Sequence, residues 1–456
     1  MQHATQRVFG IISTFLVGSL VFQATAHAAT CTPQWSSSAK TNTANLQAAI
    51  KQCAAAGNGL VDLKSNNGIS TAVITSVNLD SNIVLKLERG FTLKGTTGLS
   101  PDSAVLVGKH LSNVTITGTG AIDGDGAAYW ASAVGKDNTS RPKLIAISGS
   151  NIHIGSNFTD AGLPASHVTF PSESNDTGNA LIIRNSPKEQ LVIESGSQNV
   201  TIDGVWIYAN PAKNSKGKSL APNTDAIDII GTNVATIQNC VLDTGDDDIA
   251  IKSNYEEAKT TDIAITHCVI GGGHGISIGG QEAAGHTMAD PGVSGVTVSN
   301  ILFNGTDYGY RIKTDLTQKD SGATNDVDYS DTCMANVGQP FLFTYAYASG
   351  TGGMEPVISN ITIDNIIATA KTAQGAIEGV SSDLMGRPRT NDIGIRMTNT
   401  RITGGKKPFN VAYGELQLGS NSVVNTTDDK GGQVVLIKDS GPSIQCPENI
   451  AIPKQI

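Results

Sequence analysis

The stretch Asn199-Val-Thr-Ile-Asp-Gly-Val-Trp-Ile207 recurs in altered form five more times along the chain. The later copies are Asn233-Val-Ala-Thr-Ile-Gln-Asn-Cys-Val241, Asp262-Ile-Ala-Ile-Thr-His-Cys-Val-Ile270, Gly295-Val-Thr-Val-Ser-Asn-Ile-Leu-Phe303, Asp326-Val-Asp-Tyr-Ser-Asp-Thr-Cys-Met334 and Ser359-Asn-Ile-Thr-Ile-Asp-Asn-Ile-Ile367. Their first residues are 34, 29, 33, 31 and 33 positions apart. Each copy begins with alternating apolar and polar residues, the period of a half-buried strand. Such a repeat indicates stacked units that bury their faces only against neighbours.

The residue types within the repeats decide between the stacked architectures. A period of two and many β-branched residues exclude helical repeats, and the fixed leucines of leucine-rich repeats are absent. A propeller would need four hairpin-linked strands in each unit, which the pattern does not show. The sequence therefore predicts an all-β, single-domain right-handed parallel β-helix, with coils about 4.8 Å apart. Residues 43–53 are predicted to form a short helix that caps the N-terminal end and covers its strand edges.

Charge and composition limit what the protein binds. Of 456 residues, 16% are charged and 39% are apolar, and the formal net charge is -9. Binding to nucleic acid needs clustered Lys and Arg to neutralise phosphates, and no basic run is present. We therefore expect no nucleic-acid partner, and a monomer that binds its ligand at a local site.

The first 28 residues have the pattern of a secretory signal peptide. Arg7 precedes an apolar stretch over residues 8–22, and Ala26-His27-Ala28 gives an A-x-A cleavage signal. The apolar stretch is shorter than the roughly 20 residues needed to span a bilayer. We expect residues 29–456 to be one catalytic domain that is secreted, either outside the cell or into a periplasm, and not held in a membrane.

Six cysteines lie in the predicted mature chain, in a compartment that permits disulfides. Cys31 and Cys53 would close a short N-terminal loop, which favours a bridge between them. Cys240 and Cys268 occupy matching places in two repeats, so stacked buried thiols or a second bridge are both open. For the other two the sequence predicts no pairing, and no CxxC spacing suggests zinc.

Stacking would bring distant polar residues together. Four strands of successive coils can be aligned by their apolar residues, beginning at Ala226, Asp248, Gly275 and Tyr310. The residues that enter these strands then stack on neighbouring rungs roughly 5 Å apart, and they are Asp225, Asp247, His274 and Gly309. Asp246 lies beside Asp247, and an inward Ile312 places Arg311 and Lys313 outward on the same face. The alignment predicts one site from residues spread over the middle of the chain.

The types of residue in this site indicate glycoside hydrolysis. Carboxylates this close cannot all ionise freely, so at least one is expected to keep its proton to a higher pH. A protonated carboxyl beside an ionised one can donate to a leaving oxygen while the other activates water, and the two cations would hold an anionic sugar. A single Asp at such a turn is usually structural. The alignment of all these groups on four rungs is what favours a site.

Four short motifs resemble the signature motifs of the polygalacturonases, glycoside hydrolase family 28. They are Asn223-Thr-Asp225, Gly245-Asp-Asp247, Gly273-His-Gly275 and Arg311-Ile-Lys313. Supporting matches are Gly120-Ala-Ile-Asp-Gly-Asp-Gly126 with Trp130, Arg141-Pro-Lys-Leu-Ile145 and Asn185-Ser-Pro187. The resemblance extends from about residue 35 to about residue 415. It implies hydrolysis of α-1,4 links between galacturonates in pectin or polygalacturonate, with inversion and without a metal or other cofactor.

The resemblance also implies a role for each matching residue. Asp246 resembles the general acid, and Asp225 and Asp247 resemble the pair that activates water. His274 resembles the residue that tunes the protonation of the acid. The residues expected to bind substrate are Arg311 and Lys313 as carboxylate clamps, Asn223 of the first motif, and Tyr347, with Tyr345 as the alternative tyrosine.

Several points stay open at this stage. Asp248 is expected to be a solvent-facing turn acid without a catalytic part, or else to raise the pKa of the acid by repulsion. Residues 155–194 are expected to form inserted loops along the cleft edge, which would decide between internal and terminal cutting. Tolerance of methyl esters is not predicted. The rival functions are a rhamnogalacturonan or xylogalacturonan hydrolase, a Ca²⁺-dependent pectate lyase and a non-catalytic polysaccharide-binding β-helix.

Overall fold

The computed structural model of the protein describes residues 29–136, 140–156, 180–210, 212–253, 259–279, 292–314, 323–345, 347, 357–381 and 393–447. The predicted signal peptide, residues 1–28, lies outside these described residues. Within them, no helix is both long enough and apolar enough to cross a membrane.

The described residues form two helices and a long series of short strands. The helices are α1 (Ala39–Ala55) and α2 (Ala127–Trp130). The strands are β1 (Thr30–Cys31), β2 (Gly59–Leu63), β3 (Thr71–Ile74), β4 (Val77–Asn78), β5 (Ile83–Leu87), β6 (Thr92–Gly95), β7 (Ala104–Gly118), β8 (Ala121–Asp123), β9 (Lys143–Gly155), β10 (Leu181–Arg184), β11 (Leu191–Ile193), β12 (Ser197–Asp203), β13 (Val205–Tyr208), β14 (Ile227–Ile230), β15 (Thr232–Gln238), β16 (Val241–Asp243), β17 (Ile249–Lys252), β18 (Thr260–Thr266), β19 (Val269–Ile270), β20 (Ile276–Gly279), β21 (Val293–Ser299), β22 (Leu302–Asn304), β23 (Tyr308–Lys313), β24 (Thr324–Val337), β25 (Gln339–Thr344), β26 (Ile358–Ala370), β27 (Ala373–Glu378), β28 (Ile393–Gly404), β29 (Lys407–Ala412), β30 (Glu415–Gly419), β31 (Thr426–Asp429) and β32 (Gln433–Ile437).

Each of these strands pairs in parallel with the equivalent strand one coil away. One such column, called the site sheet below, runs β9, β11, β14, β17, β20, β23, β25. A second runs β12, β15, β18, β21, β24, and a third runs β10, β13, β16, β19, β22. Parallel crossovers are right-handed. The predicted right-handed parallel β-helix is therefore confirmed.

The register of the site sheet follows from its inward residues. Ile227, Ile249, Ile276 and Tyr310 are paired in succession, and all four are 0% exposed. This stack of apolar side chains fills the interior, and the alternation of strand residues turns their neighbours outward. The predicted alignment of the first three strands is confirmed.

The alignment of the fourth strand was wrong by one residue. Tyr310 pairs with Ile276 rather than with Gly275, because burying Tyr310 and Ile312 together in the core fixes the phase of the strand. The residue that stacks next to His274 is therefore Tyr308, and Gly309 does not occupy that place. Arg311 keeps its predicted outward direction.

Turns between the sheets repeat a left-handed backbone conformation. Asn113, Asn151 and Asn199 have φ angles of 55°, 54° and 54°. The side-chain amide of Asn151 donates to the side-chain oxygen of Asn113 at 3.1 Å, and that of Asn199 donates to Asn151 at 3.4 Å. The next position in the stack is Val234, with φ 60° and 42% exposure. The second repeat thus begins at Val234, one residue later than the sequence pattern indicated, since Val200 pairs with Ala235.

The predicted N-terminal cap is present as α1, which is longer than the predicted residues 43–53. It begins where the Ser38 hydroxyl accepts a hydrogen bond from the Thr41 amide at 3.3 Å, an N-cap that satisfies a free helix donor. Leu46 and Ile50 on its inner face are fully buried over the first coil.

The disulfides add one pairing that the sequence did not predict. Cys31–Cys53 is confirmed, and Cys333–Cys446 joins β24 to the segment after β32. Cys240 and Cys268 are buried free thiols, so the stacked arrangement is the correct one of the two open choices.

The stretch over residues 155–194 is only partly loop. It contains β10 and β11, which are regular members of the coils, so the prediction of inserted loops was wrong for these two segments. Residues 157–179 of the same stretch lie outside the described residues.

Candidate active site

Four stacked positions of the site sheet bring the predicted residues together. The residues two places before the paired Ile227, Ile249, Ile276 and Tyr310 occupy one column at the strand entrances, and they are Asp225, Asp247, His274 and Tyr308. Asp246 lies beside this column, and its backbone oxygen accepts from the His274 amide at 2.8 Å. Arg311 and Lys313 project from β23 on the same outer face.

Asp247 forms the centre of a buried ion-pair cluster. Its Oδ1 accepts hydrogen bonds from the Arg311 Nη2 at 2.5 Å and the Ser277 hydroxyl at 2.9 Å, and its Oδ2 accepts from the Lys313 Nζ at 2.7 Å. Ser277 also accepts from the Arg311 Nε at 3.0 Å. Burial by itself raises the pKa of Asp247, but the charges of Lys313 and Arg311 outweigh it and hold that pKa well below its usual range. Asp247 is therefore ionised throughout the ordinary pH range.

Asp246 and His274 form a more accessible pair at the cleft surface. The His274 Nδ1 lies 3.0 Å from the Asp246 Oδ1, and the two side chains are 27% and 23% exposed. The other ring nitrogen lies 3.6 Å from the Asp307 Oδ2, and Lys213 forms an ion pair with that carboxylate. Burial raises the pKa of Asp246. The charge of His274 and its hydrogen bond lower that pKa by more than burial raises it, so the net shift is downward.

Asp225 lies in a different electrostatic setting. It is 7% exposed and faces Asp228 of β14, the strand that begins two residues after it. The Lys252 Nζ lies 3.6 Å from the Asp225 Oδ2 and 3.0 Å from the Asp228 Oδ2. Burial, the charge of Asp228 and the charge of Asp246 raise the pKa of Asp225 well above its usual value, against the opposing effect of Lys252. Among the three predicted catalytic aspartates, the carboxyl that keeps its proton to a higher pH in the ligand-free site is Asp225 and not Asp246.

Asp248 is not a solvent-facing turn acid, so that expectation was wrong. Its side chain is 0% exposed, and it accepts hydrogen bonds from the Thr244 hydroxyl at 3.1 Å and the Gly275 amide at 3.0 Å. Burial and the charge of Asp243 raise the pKa of Asp248 well above its usual value. Asp248 therefore ties the turn of Asp246 to the turn that carries His274.

Aromatic rings lie beside both cations. The Arg311 guanidinium lies 4.6 Å from the ring centre of Tyr308, and the Lys313 Nζ lies 4.7 Å from that of Tyr347. Tyr347 is 44% exposed, whereas Tyr345 is 1% exposed and its hydroxyl accepts from a backbone amide. Tyr347 is thus the accessible one of the two candidate tyrosines. Tyr308 was not predicted as a site residue because the fourth strand was aligned with an error of one residue. The available signal was Tyr310, the aromatic residue directly before Arg311, which suits an inward position.

Asn223 is positioned by a buried arginine. Its side-chain oxygen accepts from the Arg141 Nη2 at 2.8 Å, and its backbone amide donates to the Asp246 Oδ2 at 3.1 Å. Arg141 also donates to the backbone oxygens of Pro187 and Pro222. Through its backbone amide, Asn223 therefore helps to orient the Asp246 carboxylate.

Asp246, Asp247 and His274 offer three potential metal-ligand atoms within 4.8 Å of one another. Both oxygens of Asp247 already accept from cationic side chains, Arg311 and Lys313. A divalent cation here would have to displace these positive charges, so the donor set does not favour metal binding.

Comparison with known proteins agrees with this geometry. The sequence profile of "Glycosyl hydrolases family 28" matches residues 55–176 and 156–420. An endo-polygalacturonase of Pectobacterium carotovorum subsp. carotovorum is 29% identical over 392 residues, covering 80% of this chain and 84% of the relative. The solved polygalacturonase of Erwinia carotovora ssp. carotovora superposes with a TM-score of 0.63 at 24% identity, over 85% of this chain and 96% of that one. An endo-xylogalacturonan hydrolase of Aspergillus tubingensis gives 0.64 at 19% identity, over 88% and 100% of the two chains. The chain belongs to family 28 of the glycosyl hydrolases.

Proposed function

We propose that this glycoside hydrolase cleaves the α-1,4 links between galacturonates in polygalacturonate and pectin, with inversion at the anomeric carbon. The observation that carries the proposal is the single cluster of Asp225, Asp246 and Asp247 with Arg311 and Lys313 on adjacent rungs of the site sheet. It combines carboxylates for acid and base catalysis with cations that match an anionic sugar. The polygalacturonases among the relatives support the same substrate.

Asp246 is proposed as the general acid because it is the accessible carboxyl beside a second titratable group. The Asp246 Oδ1 and the His274 Nδ1 lie 3.0 Å apart, so a proton can be shared between these two atoms. A galacturonate carboxylate bound nearby would add negative charge and raise the pKa of Asp246, which moves the shared proton onto the carboxyl. Asp246 then protonates the glycosidic oxygen as its bond to the anomeric carbon breaks.

Asp225 and Asp247 are proposed to activate the attacking water. A carboxylate accepts a proton from water while the water oxygen forms its bond to the anomeric carbon from the face opposite the leaving group. Asp247 is held ionised by Arg311 and Lys313, and Asp225 must lose its proton before it contributes. The rate should therefore rise with pH as Asp225 ionises and fall again once Asp246 no longer holds the proton that it must donate.

Arg311 and Lys313 are proposed to bind the carboxylate of the substrate while they also hold Asp247. A guanidinium has five N–H donors and an ammonium has three, which is enough to serve both partners. The exposed ring of Tyr347 beside Lys313 offers an apolar face to the sugar.

We also propose that the enzyme is exported after removal of residues 1–28, and that residues 29–456 act as a monomer. The disulfides Cys31–Cys53 and Cys333–Cys446 support an oxidising compartment. N-terminal sequencing of the protein recovered from the culture medium, together with its mass in solution, tests both statements.

The test of the function is a time course of products from polygalacturonate. Reducing ends should appear, and early oligomers or early monomers would distinguish internal from terminal cutting. A product that absorbs in the ultraviolet and disappears with EDTA would indicate a lyase instead. Release only from rhamnogalacturonan or xylogalacturonan would indicate the alternative hydrolases, and binding without release would indicate a non-catalytic protein.

Two variants test the assigned roles. Asp246→Asn should lose at least about a hundredfold in kcat, the scale of general-acid loss. Asp262→Asn is the matched control, because Asp262 is exposed at a left-handed turn position that suits Asn. Lys313→Ala should raise KM more for de-esterified than for methylated pectin, and equal changes would contradict a carboxylate clamp.

A further inference from the structure

Lys252 is a buried cation close to the site that none of the four signature motifs contains. It is the last residue of β17 and pairs with Ile230 of the preceding coil. Its side chain reaches back along the sheet to Asp228 at 3.0 Å and Asp225 at 3.6 Å, and is only 17% exposed. One ammonium group thus contacts two carboxylates. Of these, only Asp225 belongs to the column of residues at the strand entrances of the site sheet.

Most of the other charges that face Asp225 are negative. Asp228 lies on β14, which begins two residues after Asp225, and Asp246 and Asp247 lie on the next coil. Arg141 also faces Asp225, but its hydrogen bonds go to the backbone of the loops around it and to the side chain of Asn223. The cations of β23 are engaged with Asp247. Lys252 is therefore the group whose ammonium contacts Asp225 from the neighbouring strand.

We propose that Lys252 is a positioning residue that favours the ionised form of Asp225 and orients it by sharing its charge between Asp225 and Asp228. The inference rests on the proposed function, in which Asp225 must be a carboxylate to activate water. Without the ammonium, the cations left around the two carboxyls would be Arg141, which faces Asp225, and Lys143, which faces Asp228. Like charges as close as these two carboxylates suppress each other's ionisation.

The protonation equilibria agree with this role. Burial lowers the pKa of Lys252. The charges of Asp228 and Asp225 raise that pKa by more than burial lowers it, so it lies well above its usual value and the ammonium stays charged. Lys252 in turn opposes the rise in the pKa of Asp225 that burial causes. Glu189 also faces Lys252 and Asp228, and forms its own ion pair with Lys188 at 3.0 Å.

The experiment is the pH profile of kcat/KM on polygalacturonate. In Lys252→Met the acidic limb should move to higher pH by about one unit or more, the scale of losing an opposite charge at this distance. At a pH below this limb the rate should then fall about tenfold for each unit of the move, and it should recover as the pH rises. Lys252→Arg should keep most of the wild-type profile. Lys86→Met is the matched control. Lys86 lies on β5 with its side chain 41% exposed, and it forms an ion pair with Glu88 just after that strand.

A double-variant cycle keeps the test decisive if Lys252→Met does not fold. Asp228→Asn removes a like charge and should move the acidic limb to lower pH. Adding Lys252→Met to Asp228→Asn leaves no unpaired buried carboxylate at that position, and should move the limb back up by about one unit or more. An unshifted limb in both Lys252→Met backgrounds, or an equal loss of rate at every pH, would overturn the positioning role. Failure of the wild-type protein to release reducing ends would instead overturn the proposed function.

Discussion

Two adjacent buried aspartates should respond in opposite ways to the same substitution. Asp247 and Asp248 are 2% and 0% exposed. Asp247 is paired with Arg311 and Lys313, which lower its pKa, whereas Asp248 accepts only uncharged donors and its pKa is raised. We expect Asp247→Asn to destabilise the protein at neutral pH and Asp248→Asn to be neutral or stabilising.

The magnitudes follow from the contacts. Asp247→Asn removes the carboxylate that forms ion pairs with two buried cations, Arg311 and Lys313, at 6% and 4% exposure. Breaking a buried pair in this way costs about 3–5 kcal/mol. In Asp248→Asn the amide oxygen can accept from the Gly275 amide and the amide nitrogen can donate to the Thr244 hydroxyl, so both hydrogen bonds remain. The variant no longer has the cost of a buried carboxylate. The excess of its free energy of unfolding over that of the wild-type protein should therefore be larger at pH 8 than at pH 4 by at least about 1 kcal/mol.

The assay is urea unfolding of both variants and the wild-type protein at several pH values. The folded-state pKa of Asp247 is depressed, so its stabilising effect is present above the unfolded pKa of about 3.9 and is lost as the pH falls through the folded value. The deficit of Asp247→Asn should therefore shrink below about pH 4. The folded-state pKa of Asp248 is raised, so its favourable contribution is lost as the pH rises through that value. The advantage of Asp248→Asn should grow from pH 4 to pH 8.

Equal destabilisation by the two substitutions would refute this reasoning. It would mean that burial alone, and not the partner charges, controls these two side chains. A stable Asp247→Asn with an unchanged urea midpoint at pH 7 would have the same consequence for the Arg311–Asp247–Lys313 cluster.

Other predictions concern the turns, the disulfide and the tyrosines. Val234→Asn should raise the free energy of unfolding by about 1 kcal/mol, because a β-branched residue is strained at positive φ, and an unchanged urea midpoint would contradict this. Cys333→Ala should lower it by about 2–5 kcal/mol, since the bridge to Cys446 closes a separation of 113 residues; Cys446→Ala should match it in the same assay. Tyr347→Ala should raise KM without moving the unfolding midpoint, whereas Tyr345→Ala removes a buried ring and should cost about 3–5 kcal/mol. Similar effects of the two tyrosine variants on stability would count against this distinction.

Much of the architecture was available from the sequence because a β-helix repeats one local rule. Alternation of apolar and polar residues fixes which side chains point inward, and the repeat length indicates that equivalent strands stack. The same rule, applied to the sequence, placed Asp225, Asp247 and His274 in one column. It failed by one residue at Tyr310, since alternation alone does not fix the phase of a strand after a turn of variable length.

Residue periodicity and the order of the motifs were enough to predict the stacked coils, the inward residues and which acidic and basic motifs share a face. The ion pairs became known from the folded chain alone: Asp247 pairs with the two cations of β23, Asp246 with His274, and Asp225 with Lys252. The physical reason is that alternation is a local property of the backbone, whereas an ion pair depends on the reach of side chains between coils. The same three-dimensional distances, together with burial, set the pKa of each carboxyl, and so the site holds aspartates whose protonation differs although their sequence contexts look alike.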